Sequence, residues 1–455
     1  MNGRRKRRIR RHTDPVHLSD HFIVRRLLRY ALPSVIMMVF TSVYAMVDGF
    51  FVSNLVGQTP FAAVNLIQPV PEILGAVGYV FSTGGSALIS LQLGEGKPKE
   101  ANETFSLLVY AGIVIGICIT VIGIPLVRPL CRILGATPEM LPYAVRYGQI
   151  LVSGILFLML EYMFQEYMVV SERPGLGLAV MLLAGSANIG LDALFMAVFH
   201  LGVAGAGWAT VISQAIGGIV PLIYFFRAKD SVLHLGRTHF RPVVLLKTLT
   251  NGASEFMTTM STSVVAVLYN LQLIRMIGED GVSAYGVLTY IAYIFTSVSI
   301  GYAEGTAPIV SFHYGEGDAR ELKSLVQKGL IIVGIGGVVM TVLEELLAFP
   351  LSRMFIGYDP ELLRLTVHAF RIYSFSFLLS GFNVWIPSLF TALNDGFDSA
   401  LLTFLQSLVF QVGCILLLPR IFGADGIWGA IIAAESMPLV LAVVLLVRRR
   451  KKFRY

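Results

Sequence analysis

The sequence predicts an all-α polytopic membrane protein, with twelve transmembrane helices in two six-helix bundles related by a pseudo-twofold axis along the membrane normal. Three observations lead there. The chain is 55% hydrophobic and only 14% charged, against about 25% charged in soluble domains, and its mean hydropathy is +0.73. Apolar runs of the roughly 20 residues that a bilayer crossing needs recur along its whole length. The second half repeats the first in register.

Reading the runs between charged or Gly/Pro-rich breaks gives spans at about 27–53, 60–92, 103–127, 140–170, 175–199, 203–226, 251–277, 282–312, 324–349, 364–393, 397–419 and 426–447. Several exceed the minimum length, which implies tilt or projection beyond the hydrocarbon. Lys and Arg divide unevenly: the termini and the loops on their side carry 27 of the 35, the opposite loops 8. By the positive-inside rule both termini are cytoplasmic, in a multi-pass protein of the cell (inner) membrane. The expected organisation is a basic N-terminal segment (1–26), an N-lobe (27–226), a basic linker (227–250), a C-lobe (251–447) and a basic tail (448–455). The opening MNGRRKRRIRR could begin a secretory signal, with a weak cleavage site at 43–45. Its basic region is too long and the apolar stretch continues past it, so an anchor for the first helix is expected.

The +7 balance sits at the termini and in short loops, which reads as a topology signal and argues against nucleic acid. Cys118, Cys131 and Cys414 are odd in number and follow no metal-ligand spacing, so neither a disulfide framework nor a zinc site is indicated.

The repeat is visible in SLQLGEGKPKEANE (90–103) and SFHYGEGDARELKS (311–324), 221 residues apart. The same offset aligns Gly57 with Gly278 and GVAGAG (202–207) with GADGIW (423–428). Six spans is an even number, so the halves share one orientation, as in transporters that rock two bundles about a central site. No strand precedes the GEG segments and no Gly-Lys-Ser/Thr follows, so they read as tight turns rather than phosphate cradles.

Ionisable residues inside a membrane are costly, about 2.5–3.5 kcal/mol by insertion scales, and mark functional candidates. Asp48 lies in span 1, in VYAMVDGFF (43–51). Asn188 and Asp192, in NIGLD, are four apart on one face of span 5, and Thr210 follows in span 6. Asp192 and Thr210 each lie about 10 Å from the outer ends of their spans, and Asp48 falls at a similar level, so the four can converge. Adding 221 gives Tyr269, Val409, Gly413 and Ile431, none of them acidic; a group needed only to build a bundle would recur in the second one. Two facing carboxylates in a low dielectric titrate as a coupled pair and can carry a proton. With an amide oxygen and a hydroxyl they equally suit Na⁺, and the residues do not choose between the two.

Glu304, in GYAEGTAP of span 8, suits recognition of a cationic substrate or a bond to a neighbouring helix. Glu161 and Glu166, five apart in span 4, point to different faces, so one at most is expected to line a cavity. Glu72, Glu255 and Glu435 carry less signal, Glu255 reading as a helix N-terminal acid. Glu344 and Glu345 are expected near the outer surface, and His200 and His313 at interfaces. Scattered Met residues, among them Met37, Met38, Met159 and Met163, suit helix packing, or an adaptable cavity.

In combination, VDGFFVSNLVG in span 1, NIGLD in span 5 and GVAGAGWAT entering span 6 resemble the multidrug and toxic compound extrusion (MATE) transporters, over nearly the whole chain after residue 25. The resemblance implies a V-shaped pair of bundles and export of cationic, amphipathic compounds in exchange for H⁺ or Na⁺. Members of the prokaryotic type with an N-lobe cation site have an Asp in span 1, an Asn and Asp in span 5 and a Thr in span 6. That implies cation-coupling roles for Asp48, Asn188, Asp192 and Thr210. Other branches use C-lobe acids in spans 7 and 10. Here Glu255 sits near the start of span 7 and span 10 has no mid-membrane acid, while MFQEYMVVSERPG in span 4 departs from the usual family pattern.

The expected function is a cation-coupled antiporter, acting as a monomer in the lipid bilayer on small cationic drug-like molecules. It is expected to be no enzyme, with no catalytic residues and no cofactor beyond H⁺ or Na⁺ as the coupling ion. Substrate contacts are expected at Glu304, Glu161 and Glu166. A flippase of lipid-linked saccharides in the same superfamily is the alternative, and would favour a basic cavity able to hold pyrophosphate. A membrane acyltransferase is more remote, since it would need a catalytic constellation, such as a His with a nearby acid at one membrane face, and the histidines lie isolated along the sequence at ends and tails.

Overall fold

In the computed structural model the described residues are 16–455, apart from 229–230 and 357–358. Most of the basic N-terminal segment therefore lies outside the described residues, as does part of the linker. Ten single helices are long and apolar enough to cross a membrane, and two bent pairs make twelve when each pair is one span. In order these are Val24–Gly49, Thr59–Gly94, Pro98–Ile133, Leu141–Ser153 with Ile155–Val170, Pro174–Val198, Val203–Arg227, Ala253–Met276, Asp280–Glu316, Ala319–Met354, Pro360–Ser374 with Phe377–Ala392, Gly396–Phe422 and Ala424–Phe453. They are numbered spans 1 to 12 below. A short helix, Pro242–Asn251, occupies the linker. Among the described residues there is no strand, as a bilayer requires of a bundle whose backbone groups must be satisfied within each segment.

Spans 3, 8 and 9 run longer than their apolar cores. At 36 to 37 residues and 1.5 Å each they exceed a hydrocarbon layer of roughly 30 Å. The helix simply continues into its polar flanks, beginning in span 3 with Pro98 at the first position, where its missing N–H is no loss.

The repeat extends to the backbone. Span 4 bends by 50° between Ser153 and Ile155, and span 10 by 49° between Ser374 and Phe377, again 221 residues apart. Gly57 and Gly278 have φ of +97° and +93°, Gly96 and Gly317 both +74°, and Gly202 and Gly423 +60° and +63°. These left-handed positions are open to glycine at no steric cost, and they end or begin helices at equivalent places in each half.

The two halves meet most closely on the face that carries residue 16 and the C-terminus, called the terminal face here. A Cβ on Gly94 would stand 2.0 Å from Phe312 O, and one on Gly315 2.2 Å from Leu91 O. Gly94 and Gly315 are repeat mates, and so are Leu91 and Phe312. Farther in, a Cβ on Gly84 would lie 2.8 Å from Gly252 N, and one on Gly305 2.8 Å from Ala31 Cα; these four positions are also two pairs of mates. Spans 2 and 8 thus cross backbone to backbone about the pseudo-twofold axis. Ser311 Oγ donates to Ala87 O at 2.5 Å across the same seam.

Residues 17–22 form a strap over this crossing. Glu172, after span 4, pairs with His17 Nδ1 at 2.5 Å and accepts from Leu18 N at 2.8 Å. Glu321, at the start of span 9, pairs with His21 Nδ1 at 2.5 Å and accepts from Phe22 N at 2.9 Å. Lys328 Nζ donates to Phe22 O. Leu18 and Phe22 are fully buried, and Phe22 meets His313 edge-on at 6.2 Å.

Gly94→Val should be impossible to accommodate without separating spans 2 and 8. A cysteine at Ser311, buried in the parent, is expected to resist a water-soluble maleimide there and to label at least fivefold faster in the Gly94→Val background. Gly413→Val, whose Cβ would meet nothing within 4 Å, should leave labelling unchanged.

Candidate functional site

Span 1 runs helical past Pro33 to Leu55 and carries Asp48 near the end away from the terminal face. Span 5 is α-helical to Asp192 and then widens into a π-helical turn, Ala193–Val198, a departure often found at functional sites. Asp192 is fully buried and Asn188, one turn before it, is 2% exposed. The Asp48 and Asp192 carboxyls face one another at close range. Yet Asp48 Oδ1, both Asp192 carboxyl oxygens and Asn188 Oδ1 are buried without a hydrogen-bond partner among the described residues. Buried acceptors without donors are rare in folded proteins. This group gathers oxygen atoms without supplying the hydrogens, an arrangement open to protons or a hard cation.

Thr210 stands apart in its bonding: its hydroxyl donates to Ala206 O, 3.1 Å away on its own helix. Two neighbours escaped the sequence reading. Tyr147, 2% exposed, lies within electrostatic reach of Asp48 and Asp192, and its hydroxyl reaches Gln68 Oε1 at 3.4 Å. Their signal was slight, a tyrosine in span 4 and an amide beside Pro69.

A second polar region, walled mainly by the other half, surrounds a cavity of about 450 Å³. Glu166, from span 4 of the first half, lines it with Glu255, Glu304 and Glu435 of the second, and no Lys, Arg or His is found among its described lining residues. Glu166, Glu255 and Glu304 lie within electrostatic reach of one another. Glu255 belongs to the first turn of span 7, and also faces the cavity. Glu435 accepts from Asn383 Nδ2 at 2.6 Å and, more weakly, from Gln406 Nε2 at 3.5 Å. Tyr269 OH reaches Gln411 Oε1 at 3.4 Å. Tyr269 and Ile431, the repeat mates of Asp48 and Thr210, both line this cavity. The two polar regions therefore occupy related places in the two halves and differ in chemistry.

Between them lies an aromatic seam. Tyr79 and Tyr162 stack at 3.8 Å, and Tyr79 lies within reach of Glu304 and Tyr293. Tyr44 lies within reach of both Asp48 and Tyr293, which links the first region to the seam.

The remaining acids disperse. Glu161 does not line the large cavity; it packs against Gly217 and borders a small crevice with Met37. Glu72 is exposed and accepts from Gln68 Nε2 at 3.2 Å. Glu344 departs from expectation: it is fully buried, on a helix that continues for ten residues beyond it. Glu345 does approach the edge and accepts from Ser374 Oγ at 2.7 Å. His313 also departs, being 3% exposed beneath the strap rather than interfacial; nothing in its own helix foretells that cover. His200 ends span 5 exposed, with φ +52°.

Twelve spans in two repeated halves, with buried polar groups facing a central seam, define a multi-pass membrane transporter. The MatE family profile matches residues 33–194 and again 255–415, and the chain belongs to that family. It is similar to the multidrug export protein MepA of Staphylococcus haemolyticus, 24% identical over 438 residues and 96% of each chain. MepA of Staphylococcus saprophyticus is 22% identical over 93% of each. Among solved structures, an outward-facing multidrug resistance MATE family transporter superposes with a TM-score of 0.91 at 22% identity, over 98% of this chain and 100% of that one. A MOP superfamily transporter from Pyrococcus furiosus, described by the reverse polarity of its binding pocket, gives 0.87 at 21% identity, over 95% and 97%.

Removing one acid from the unpartnered pair should relieve repulsion while keeping shape. Asp192→Asn is expected to melt about 1 °C above the parent in detergent at pH 8, the shift that a gain on the order of 1 kcal/mol gives in a chain of this length. A lower melting temperature in differential scanning fluorimetry would mean that the carboxylate holds the helices together.

Proposed function

We propose that the protein is a cation-coupled antiporter that exports organic cations. The observation that carries this is the presence of two separate acidic groups. One is an unpartnered carboxyl pair within the first half. The other lines a cavity walled mainly by the second half, where Glu166 of span 4 joins Glu255, Glu304 and Glu435 with no basic residue among the described lining. Asp48 and Asp192 act as the coupling group for H⁺ or Na⁺, with Asn188 adding an oxygen ligand and Thr210 completing the set when Na⁺ is bound. Glu304, Glu166 and Glu255 attract the substrate, and the tyrosine seam offers ring faces to its cationic part. Glu161, off the cavity, has no substrate contact in this scheme.

The Lys and Arg bias supports a cytoplasmic terminal face, so the conformer closed there is the outward-open one. Two lobes, 27–226 and 251–447, rock about the crossing of spans 2 and 8 as a monomer. The MepA relatives, named as multidrug exporters, favour the same substrate class. A flippase for a pyrophosphate-linked lipid would face repulsion from four glutamates. In a solved neighbour reverse pocket polarity suggests a different function, so the sign of the lining charge separates the two readings.

Reconstituted vesicles with imposed pH or Na⁺ gradients test the proposal. Asp48→Asn is expected to insert normally and to lose gradient-driven efflux of a cationic dye by at least tenfold; unchanged coupled efflux would remove Asp48 from the mechanism. Glu304→Gln should lower transport of cationic substrates several-fold more than neutral ones and leave ion dependence intact. Equal loss for both, with altered ion dependence, would reassign Glu304 to coupling.

A further inference from the structure

A further cavity belongs to neither polar region. It measures about 560 Å³ and lies where span 1 meets spans 8 and 9, so it straddles the seam between the halves. Its walls are apolar, with Leu32 and Val35 on one side and Ile332 and Met340 on the other. Gly336 opens its floor, since a Cβ there would meet nothing within 4 Å. At its terminal-face end stand Arg25, Arg26 and Arg29, and no Asp or Glu is found among its described lining residues. Arg25 and Arg29 are four apart on one exposed face of the helix. Arg26 lies 4.0 Å from Asp20 of the strap. Around the cavity Leu28, Leu32 and Ile36 are 43%, 53% and 40% exposed, as side chains facing lipid tails are.

The polarity is opposite to that of the glutamate-lined cavity. An organic cation has no anionic partner here, and a soluble anion would gain nothing from the apolar walls. A molecule with a phosphate at one end and a hydrocarbon chain at the other satisfies both ends. Basic pockets between transmembrane helices at the headgroup level bind such lipids. We propose that this cavity is a binding site for an anionic phospholipid of the leaflet on the terminal face. Its headgroup phosphate rests on Arg25, Arg26 and Arg29, and one acyl chain follows Leu32 and Ile332 to the floor at Gly336. The walls come from both halves, so the occupied site favours the arrangement in which span 1 packs against span 8. This site stands independently of the proposed transport function.

The test uses the purified full-length protein and measures lipid binding by native mass spectrometry and melting temperature. Phosphatidylglycerol and phosphatidylcholine of identical chains are compared, with inorganic phosphate as a headgroup control. Phosphatidylglycerol is expected to bind at least fivefold tighter than phosphatidylcholine and to raise the melting temperature, with millimolar phosphate doing neither. Arg25→Gln with Arg29→Gln should abolish the preference for phosphatidylglycerol, and Arg25→Lys with Arg29→Lys should retain most of it. Gly336→Leu, which fills the floor, should weaken both lipids at this site. Equal binding of the two lipids to the parent, a preference that survives both the glutamine and the leucine variants, or stabilisation by phosphate alone would each overturn the proposal.

Discussion

The contact on which the rest of the architecture turns is the crossing of spans 2 and 8 at the terminal face. Between helices in a membrane there is little hydrophobic gain, since lipid tails are as apolar as leucine; close packing of small residues is what remains. Gly94 lies against Phe312 O and Gly315 against Leu91 O, and the repeat makes these one contact written twice. Gly84 with Gly252, and Ala31 with Gly305, continue it inward. A side chain at any of these glycines would drive the halves apart on this face. The crossing fixes the axis, and the axis decides which side chains look into the space between the halves.

That space is where departures from symmetry concentrate. The backbone repeats closely, down to bends of 50° and 49°, while the polar side chains do not. The first half puts Asp48 and Asp192 together and leaves three of their four carboxyl oxygens without a donor among the described residues. In the related place the second half has Tyr269, Gln411 and Ile431 beside a cavity, with Glu435 held by Asn383. Both halves meet the same bilayer constraint on the backbone. The acids are therefore free to differ, and the difference between a satisfied glutamate and an unsatisfied aspartate pair is chemical rather than architectural.

The spans, their number and the repeat were legible because hydrophobic length and glycine positions are local properties. Gly57, Gly202 and their mates could be aligned from sequence alone and proved to share φ values as well. Asp48, Asn188 and Asp192 stood out as polar residues in apolar runs. Glu255 and Glu435 stood out less, one because it sits at a helix start and the other because its partners, Asn383 and Gln406, come from two other spans. Tyr147, Gln68 and the buried states of His313 and Glu344 depended on tertiary neighbours that no periodicity encodes.

The strap adds a constraint that the spans alone lack. Its first pair of residues is held by Glu172, from the first half, and its second pair, four residues on, by Glu321 from the second. Six residues of chain cannot stay fastened to both while the halves separate on that face, so opening must break one clasp. Each clasp includes a backbone N–H donated to a carboxylate, and a hydrogen bond to a charged group contributes about 1.5–3 kcal/mol. Reversing a two-state population from 99:1 to 1:99 takes roughly 5.5 kcal/mol of differential binding. One clasp is thus comparable to a substantial part of what a ligand must supply. In the proposed rocking scheme, a segment outside both bundles would help to set which conformer the molecule occupies at rest.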